Sequence, residues 1–220
     1  MGFVTSIERG PPSADRRRHW EAVYGDKAPD QLSWFQDEPS VSLELIDGAG
    51  LPFDAALLDV GGGASRLVDA LIARGYRDVT VLDVSATALA TSRRRLGDLS
   101  QASWLREDLL TWEAARSYEL WHDRAVFHFL ISPDDQRRYL EVLSTALAPG
   151  GTVILGTFAA DGPETCSGLS VTRHDPAALT QILGTSFRLK ATQRELHRTP
   201  SGTVQPFTWI LATHQPEPAT

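Results

Sequence analysis

A single cysteine, Cys166, stands among 220 residues. That excludes an intrachain disulfide framework and suits a reducing compartment. No apolar run approaches the roughly 20 residues needed to cross a bilayer. The N-terminus, MGFVTSIERGPPSADRRRHW, lacks the apolar core of a secretory signal. Positive charge is also short: 21 Lys and Arg against 28 Asp and Glu leave a net charge of −7, which argues against a broad basic face for nucleic acid. The runs Arg16–Arg18 and Arg93–Arg95 are the local exceptions, and the second falls on a predicted helix where a solvated face is the simpler reading. The six histidines and one cysteine show no metal-ligand spacing. The expectation is a cytoplasmic chain with no metal, membrane or nucleic-acid partner.

With 42% hydrophobic residues, 220 residues can bury one sizeable core. The reading is an N-terminal helical extension or lid over residues 1–48 and one compact unit over 49–215. A helix from Asp15 carries Trp20 and Tyr24 and ends at Gly25; a loop with Trp34 and Phe35 follows, and Pro39 suits a helix start. After Pro52 strands and helices alternate. Strands are predicted at Ala55–Val60, Asp78–Val84, Ala102–Arg106, Glu119–Asp123 and Thr152–Phe158, with helices over Ala64–Arg74, from Ser85 to Leu96, from Ser132 to the stop Pro149-Gly150-Gly151, and from Asp175 to Gly184. Phe187–His197 and Val204–Thr213 then read as a hairpin. This is an α/β pattern: a doubly wound, mostly parallel sheet covered on both faces, closed by an antiparallel hairpin.

The stretch LLDVGGGASRL (Leu57–Leu67) reads as a buried strand, a tight glycine turn and a helix start, the place where α/β folds bind ligands. A dinucleotide fingerprint would need glycine at 66, where Arg66 stands. Asp59 lies two residues before Gly61-Gly62-Gly63; it would repel a pyrophosphate and attract an ammonium group. Asp83, at the end of the second strand, is placed to accept ribose hydroxyls, beside Val84 and the helix-capping Ser85. Asp108, beside Leu109 and past the third strand, is placed to reach an adenine edge, although Asp is common at any strand-to-loop junction.

Together these motifs resemble the class I S-adenosylmethionine-dependent methyltransferases. LLDVGGGAS, TVLDVS, REDLL, YELWHDRAVFHFL and LAPGGTVILGTF look like the successive motifs of that family, over roughly residues 50–213. HWEAVYGDKAPDQLSWFQ resembles the N-terminal segment of the thiopurine, tellurite-resistance and elongation-factor-lysine methyltransferases. The resemblance implies a seven-stranded Rossmann-like sheet, S-adenosylmethionine as cofactor and S-adenosylhomocysteine as product. It also implies that the N-terminal segment lies over the cofactor.

On that basis Asp59, Gly61, Gly62, Gly63, Asp83, Val84, Ser85, Asp108, Leu109, His122, Tyr24 and Trp34 are the expected cofactor contacts. The aromatic residues have a second reading, as packing for the N-terminal helix. Asp123, Arg124 and His128 are the expected catalytic group: His128 or Asp123 to take a proton, Arg124 to pair with a substrate carboxylate. Their plain alternative is a surface ion pair and a packed histidine. Cys166 reads as a passive loop thiol, and His174 and His197 as surface or hairpin residues. A small-molecule acceptor is expected, with a protein lysine as the alternative. A nicotinamide-dependent oxidoreductase and a non-catalytic cofactor-binding protein are the rivals from other classes.

Overall fold

The computed structural model describes residues 13–97 and 101–215. Helix α1 (Ser13–Asp26) and a short 3-10 turn lead to α2 (Ser40–Ala49). The central alternation is β1 (Ala56–Val60), α3 (Leu67–Ala73), β2 (Asp78–Asp83), α4 (Ala86–Leu96), β3 (Ala102–Arg106), β4 (Tyr118–Arg124), α5 (Pro133–Ala146) and β5 (Leu147–Phe158). A two-residue ribbon, β6 (Thr165–Cys166) with β7 (Leu169–Ser170), precedes α6 (Pro176–Leu183) and the closing strands β8 (Phe187–Arg198) and β9 (Val204–His214).

The main sheet has seven strands in the order β3-β2-β1-β4-β5-β9-β8. The first five are mutually parallel, and β9 runs antiparallel to both β5 and β8. This is the doubly wound sheet with an antiparallel hairpin. Its central strand β1 is buried at every position, as a strand covered on both faces requires. On one face α2, α3 and α4 set Leu43, Ile46, Leu67, Leu71 and Leu89 against Leu57, Val79, Val81 and Ile154. On the other, α5 and α6 set Tyr139, Leu143, Leu179 and Leu183 against Trp121, Val153, Leu155 and Ile210.

Local chemistry starts the helices. The hydroxyls of Ser85 and Ser132 and the carboxylate of Asp175 accept from the N–H groups of Ala88, Asp135 and Ala178 at 3.1, 3.1 and 2.8 Å, and proline occupies the first turn of α5 and α6. Three boundaries differ from expectation. Helix α3 begins at Leu67 rather than Ala64, because the glycine turn continues through Ser65, whose N–H bonds the Gly62 carbonyl at 2.8 Å. Helix α5 ends before Pro149, at Ala146, since Leu147 is already extended and pairs with Tyr118 ahead of a register shift. The expected boundary at 48/49 cuts α2, which gives Leu43, Leu45 and Ile46 to the core of the sheet.

Candidate active site

At the carboxyl end of β1 the glycine turn is pressed from both sides. Gly61 and Gly63 sit at φ of 66° and 41°, a region that side chains rarely adopt. A Cβ on Gly62 would lie 2.3 Å from Oδ2 of Asp59, and one on Gly63 would lie 2.7 Å from Oδ2 of Asp83 and 3.0 Å from the Tyr24 hydroxyl. Two of the three acids picked out in the sequence therefore face this loop directly.

Asp83 is buried and its Oδ1 accepts from the Ser85 N–H at 2.8 Å. Burial pushes its carboxyl up to about 7 despite that bond, with Asp59 and Glu21 adding to the rise. Asp108 is also buried; Oδ1 accepts from the Leu110 N–H at 3.1 Å, and Oδ2 is held by Arg16 of α1. Asp83, Val84, Asp108 and Leu109 line one wall of a cavity at the carboxyl ends of the strands. Ser85 lies beneath that wall and works as the cap of α4.

A second pocket shares Tyr24, Trp34, Val60, Gly61 and Arg124 with the first and contains Asp59 and Gly62. Here His122 is a strut. Its Nδ1 donates to Oδ1 of Asp59 at 2.7 Å and its Nε2 meets the Ser42 hydroxyl at 2.9 Å, all three side chains being buried. Ser42 comes from α2, so that helix helps to orient the acid before the glycine turn.

The end of β4 departs from the expectation of a proton-accepting group. Asp123 is fully buried and lines neither of these two pockets. Its Oδ1 accepts from Val126 N–H at 2.8 Å, and its Oδ2 from Phe127 N–H at 3.1 Å and the Tyr139 hydroxyl at 2.8 Å. These bonds hold a turn in which Ala125 takes φ of 73°. Asp123 thus builds the backbone beneath the cavity. His128 does line the cavity, but its Nδ1 accepts from the Phe158 N–H at 3.4 Å, which leaves the proton on Nε2. Burial, with Arg124 and His174 nearby, pulls its pKa down to about 3. The ring carries a buried, unpartnered donor where the sequence suggested a base.

Arg124 forms part of the wall of both pockets. Its Nη1 donates to the Trp34 carbonyl at 2.9 Å and its guanidinium lies 4.6 Å from the centre of the Phe207 ring. Burial lowers its pKa, opposed by Glu195. The aromatic residues of the N-terminal segment close the cavity: Trp20 packs edge-on to Trp34 at 5.8 Å and Phe129 at 5.0 Å, and Tyr24 to Trp34 at 6.0 Å. Packing and lining are here the same contacts. Cys166 is buried beside them, and burial raises its thiol to about 11, well outside the range of a reactive thiolate. Of the two histidines expected at the surface or in the hairpin, His197 lies on hairpin strand β8, buried, with Nε2 2.7 Å from the Ser33 carbonyl, and His174 is buried ahead of α6.

Sequence reading missed Glu21, Ser42, Glu195 and Phe207. Glu21 accepts from the N–H groups of Ala86 and Thr87 and from the Ser85 hydroxyl at 2.6, 3.2 and 3.1 Å, tying α1 to the start of α4. No local spacing signals a partner 65 positions away. Arg95, read as part of a solvated run, instead holds Asp69 at 2.6 Å, while Arg93 and Arg94 are exposed.

Against known proteins, a family model described as a methyltransferase domain matches residues 58–153, from β1 and the glycine turn into β5. Over that stretch the chain is similar to the class I S-adenosylmethionine-dependent methyltransferases. It is 26% identical over 136 residues to malonyl-[acyl-carrier protein] O-methyltransferase 1 of Ilyobacter polytropus (61% of this chain, 49% of that protein). It is 32% identical over 132 residues to probable thiol methyltransferase 2 of Arabidopsis thaliana (58% and 57%). It is 26% identical over 164 residues to EEF1A lysine methyltransferase 2 of Mus musculus (66% and 66%). The matches thus span about half to two-thirds of the length of these relatives. In fold, the chain matches the N-methyltransferase NodS of Bradyrhizobium japonicum, solved with S-adenosyl-L-homocysteine, with a TM-score of 0.69 at 18% identity over 90% of this chain and 98% of that one. Among the described residues no helix is long and apolar enough to cross a membrane.

Proposed function

We propose that the protein transfers a methyl group from S-adenosylmethionine to a small-molecule acceptor. The observation that carries this reading is the placement of Asp83: buried, wedged against Gly63, and on the wall of one cavity that continues to Asp108 in one direction and to Arg124 and His128 in the other. The residues present fit the cofactor. Asp83 would accept its ribose hydroxyls, Val84 and Leu109 would flank its adenine, and Asp59, steadied by His122, would face its ammonium. A pyrophosphate at the same loop would meet Asp59 and Asp83 at close range, which disfavours the nicotinamide reading.

When bound, S-adenosylmethionine supplies a methyl group activated by its sulfonium. The chain's contribution is to hold the acceptor in line and exclude water, and positioning of that kind supplies about 7–11 kcal/mol in favourable systems. Trp20, Tyr24, Trp34 and Phe129 wall the cavity, and their faces favour a cation by about 0.5–2 kcal/mol each when desolvated. The N-terminal segment would act as a lid, with α1 over the mouth. A roofed cavity with buried polar groups at its far end favours a small acceptor over a protein side chain.

Calorimetry with S-adenosylhomocysteine and with NAD tests the cofactor: tight binding of the first and none of the second is expected, and the reverse would overturn the reading. Incubation with methyl-labelled cofactor and cell lysate tests the acceptor. Label in small molecules is expected; a labelled protein band would instead favour the lysine reading that the elongation-factor methyltransferase relative suggests.

A further inference from the structure

Beyond Asp83 the cavity changes character. Phe129, Phe158 and Phe207 make its walls apolar and aromatic, yet among the described residues three buried donor atoms on two of its side chains have no hydrogen-bond partner: Nε and Nη2 of Arg124 and Nε2 of His128. Nη1 of Arg124 is engaged by the Trp34 carbonyl, so the two free nitrogens belong to the same edge of the guanidinium. That edge presents two parallel N–H bonds, the geometry that matches the two oxygens of a carboxylate.

Among the described residues, the nearest carboxylate does not fill it. Oε1 of Glu195 stands 4.0 Å from Nη2, and both Glu195 oxygens are bound elsewhere, to Gln36 Nε2 at 2.7 Å and Trp209 Nε1 at 2.9 Å. A buried cation with unsatisfied donors is costly unless an acceptor reaches it. We infer that the far end of the cavity binds an aromatic acceptor bearing a carboxylate, with the Nε–Nη2 edge of Arg124 as the carboxylate receptor and the phenylalanine faces as the walls for the ring.

This rests on the methyltransferase reading for the word acceptor, but the binding site stands on its own. His128, which lines the same cavity, carries a third unpartnered donor.

The test uses three probes that share a ring and differ at one edge: benzoate, benzamide and benzamidine. Binding to the full chain is followed by calorimetry, with and without S-adenosylhomocysteine. Benzoate is expected to bind roughly 10- to 100-fold more tightly than benzamide, the effect of a hydrogen bond to a charged group, and benzamidine not to bind. In Arg124→Met the preference for benzoate over benzamide should vanish. Arg124→Lys, which keeps the charge without the parallel pair, should fall between. Equal binding of benzoate and benzamidine to the wild-type chain would overturn the proposal without recourse to any variant. So would a loss of S-adenosylhomocysteine affinity in a cooperatively folded Arg124→Met protein, which would assign the edge to the cofactor's own carboxylate. If the wild-type chain binds no S-adenosylhomocysteine, the methyltransferase reading fails, while the arm without it still reports on the carboxylate site.

Discussion

Arg16 reaches across 92 positions of sequence to hold Asp108, its Nε and Nη2 donating to the same Oδ2 at 3.2 and 2.9 Å. The acid at the end of β3 is therefore tied to the N-terminal helix that roofs the cavity. Glu21, one and a half turns further along α1, makes the second tie, to the start of α4.

These two ties predict how α1 opens. Glu21→Ala removes an acceptor from the first turn of α4 and should weaken docking of α1 by about 0.5–2 kcal/mol, the range for a lost helix cap. Arg16→Met should loosen the other end. Hydrogen exchange over residues 13–26 measures both, with faster exchange expected in each variant. Burial alone would raise the Glu21 pKa, but the bonds from Thr87, Ala86 and Ser85 outweigh it and hold it below 4.5. The tie is thus present above pH 4.5 and is lost as pH falls through the lower folded value. Unchanged exchange in both variants would mean that aromatic packing alone seats the helix.

Asp83 titrates near pH 7 in the folded chain, and its ionised form is the better acceptor for ribose hydroxyls. Affinity for S-adenosylhomocysteine should therefore rise from pH 6 to pH 8, by up to about tenfold per unit below the pKa. Asp83→Asn should lower affinity and flatten that dependence. The stability consequence has the opposite sign: with a folded pKa raised above 3.8, stability falls as pH rises from about 4 to 7. A flat affinity profile for the wild-type chain would remove Asp83 from the ribose.

What the sequence made legible follows from how local each signal is. The fold could be read because strands and helices are written in short apolar periods, caps and turn residues, and the hairpin at β8–β9 is separated by a clear turn. Asp59, Asp83 and Asp108 stand out in the sequence because each lies within two residues of a strand's carboxyl end, a position that the period itself marks. The roles of His122, Asp123 and His128 could not be read in the same way. They depend on which atom of each ring or carboxylate is already engaged, and the partners Ser42, Tyr139 and Phe158 lie 80, 16 and 30 positions away. The donor edge of Arg124 is similarly set by Trp34, 90 positions before it.

The Ser42–His122–Asp59 chain makes a prediction of its own. Ser42→Ala leaves Nε2 of a buried imidazole without its partner, at a cost of about 1–3 kcal/mol. For a chain of this size that is a fall in Tm of about 2–4 °C per kcal/mol. If the chain orients Asp59, S-adenosylhomocysteine affinity should fall along with Tm, and Ser42→Thr, which keeps the hydroxyl, should restore it. A variant that loses stability but binds as before would confine Ser42 and His122 to packing.

His128 gives the last prediction, and it separates a donor from a base. A folded pKa near 3, against 6.5 for the free side chain, keeps the ring neutral from pH 5 to pH 8. Nitrogen chemical shifts should place its single proton on Nε2 throughout that range, since Nδ1 accepts from the Phe158 backbone. The linkage follows with its sign: the unfolded chain takes up this proton below about pH 6.5 and the folded chain does not, so stability falls on acidification through that window. One such group contributes about 1.4 kcal/mol per pH unit. His128→Asn, which cannot titrate there, should show a shallower acid slope in chemical denaturation than the wild-type chain, over the same range in which His174 and His197, also lowered by burial, continue to contribute. A ring that titrates near neutral pH, or a variant with an unchanged slope, would return His128 to the role of proton acceptor.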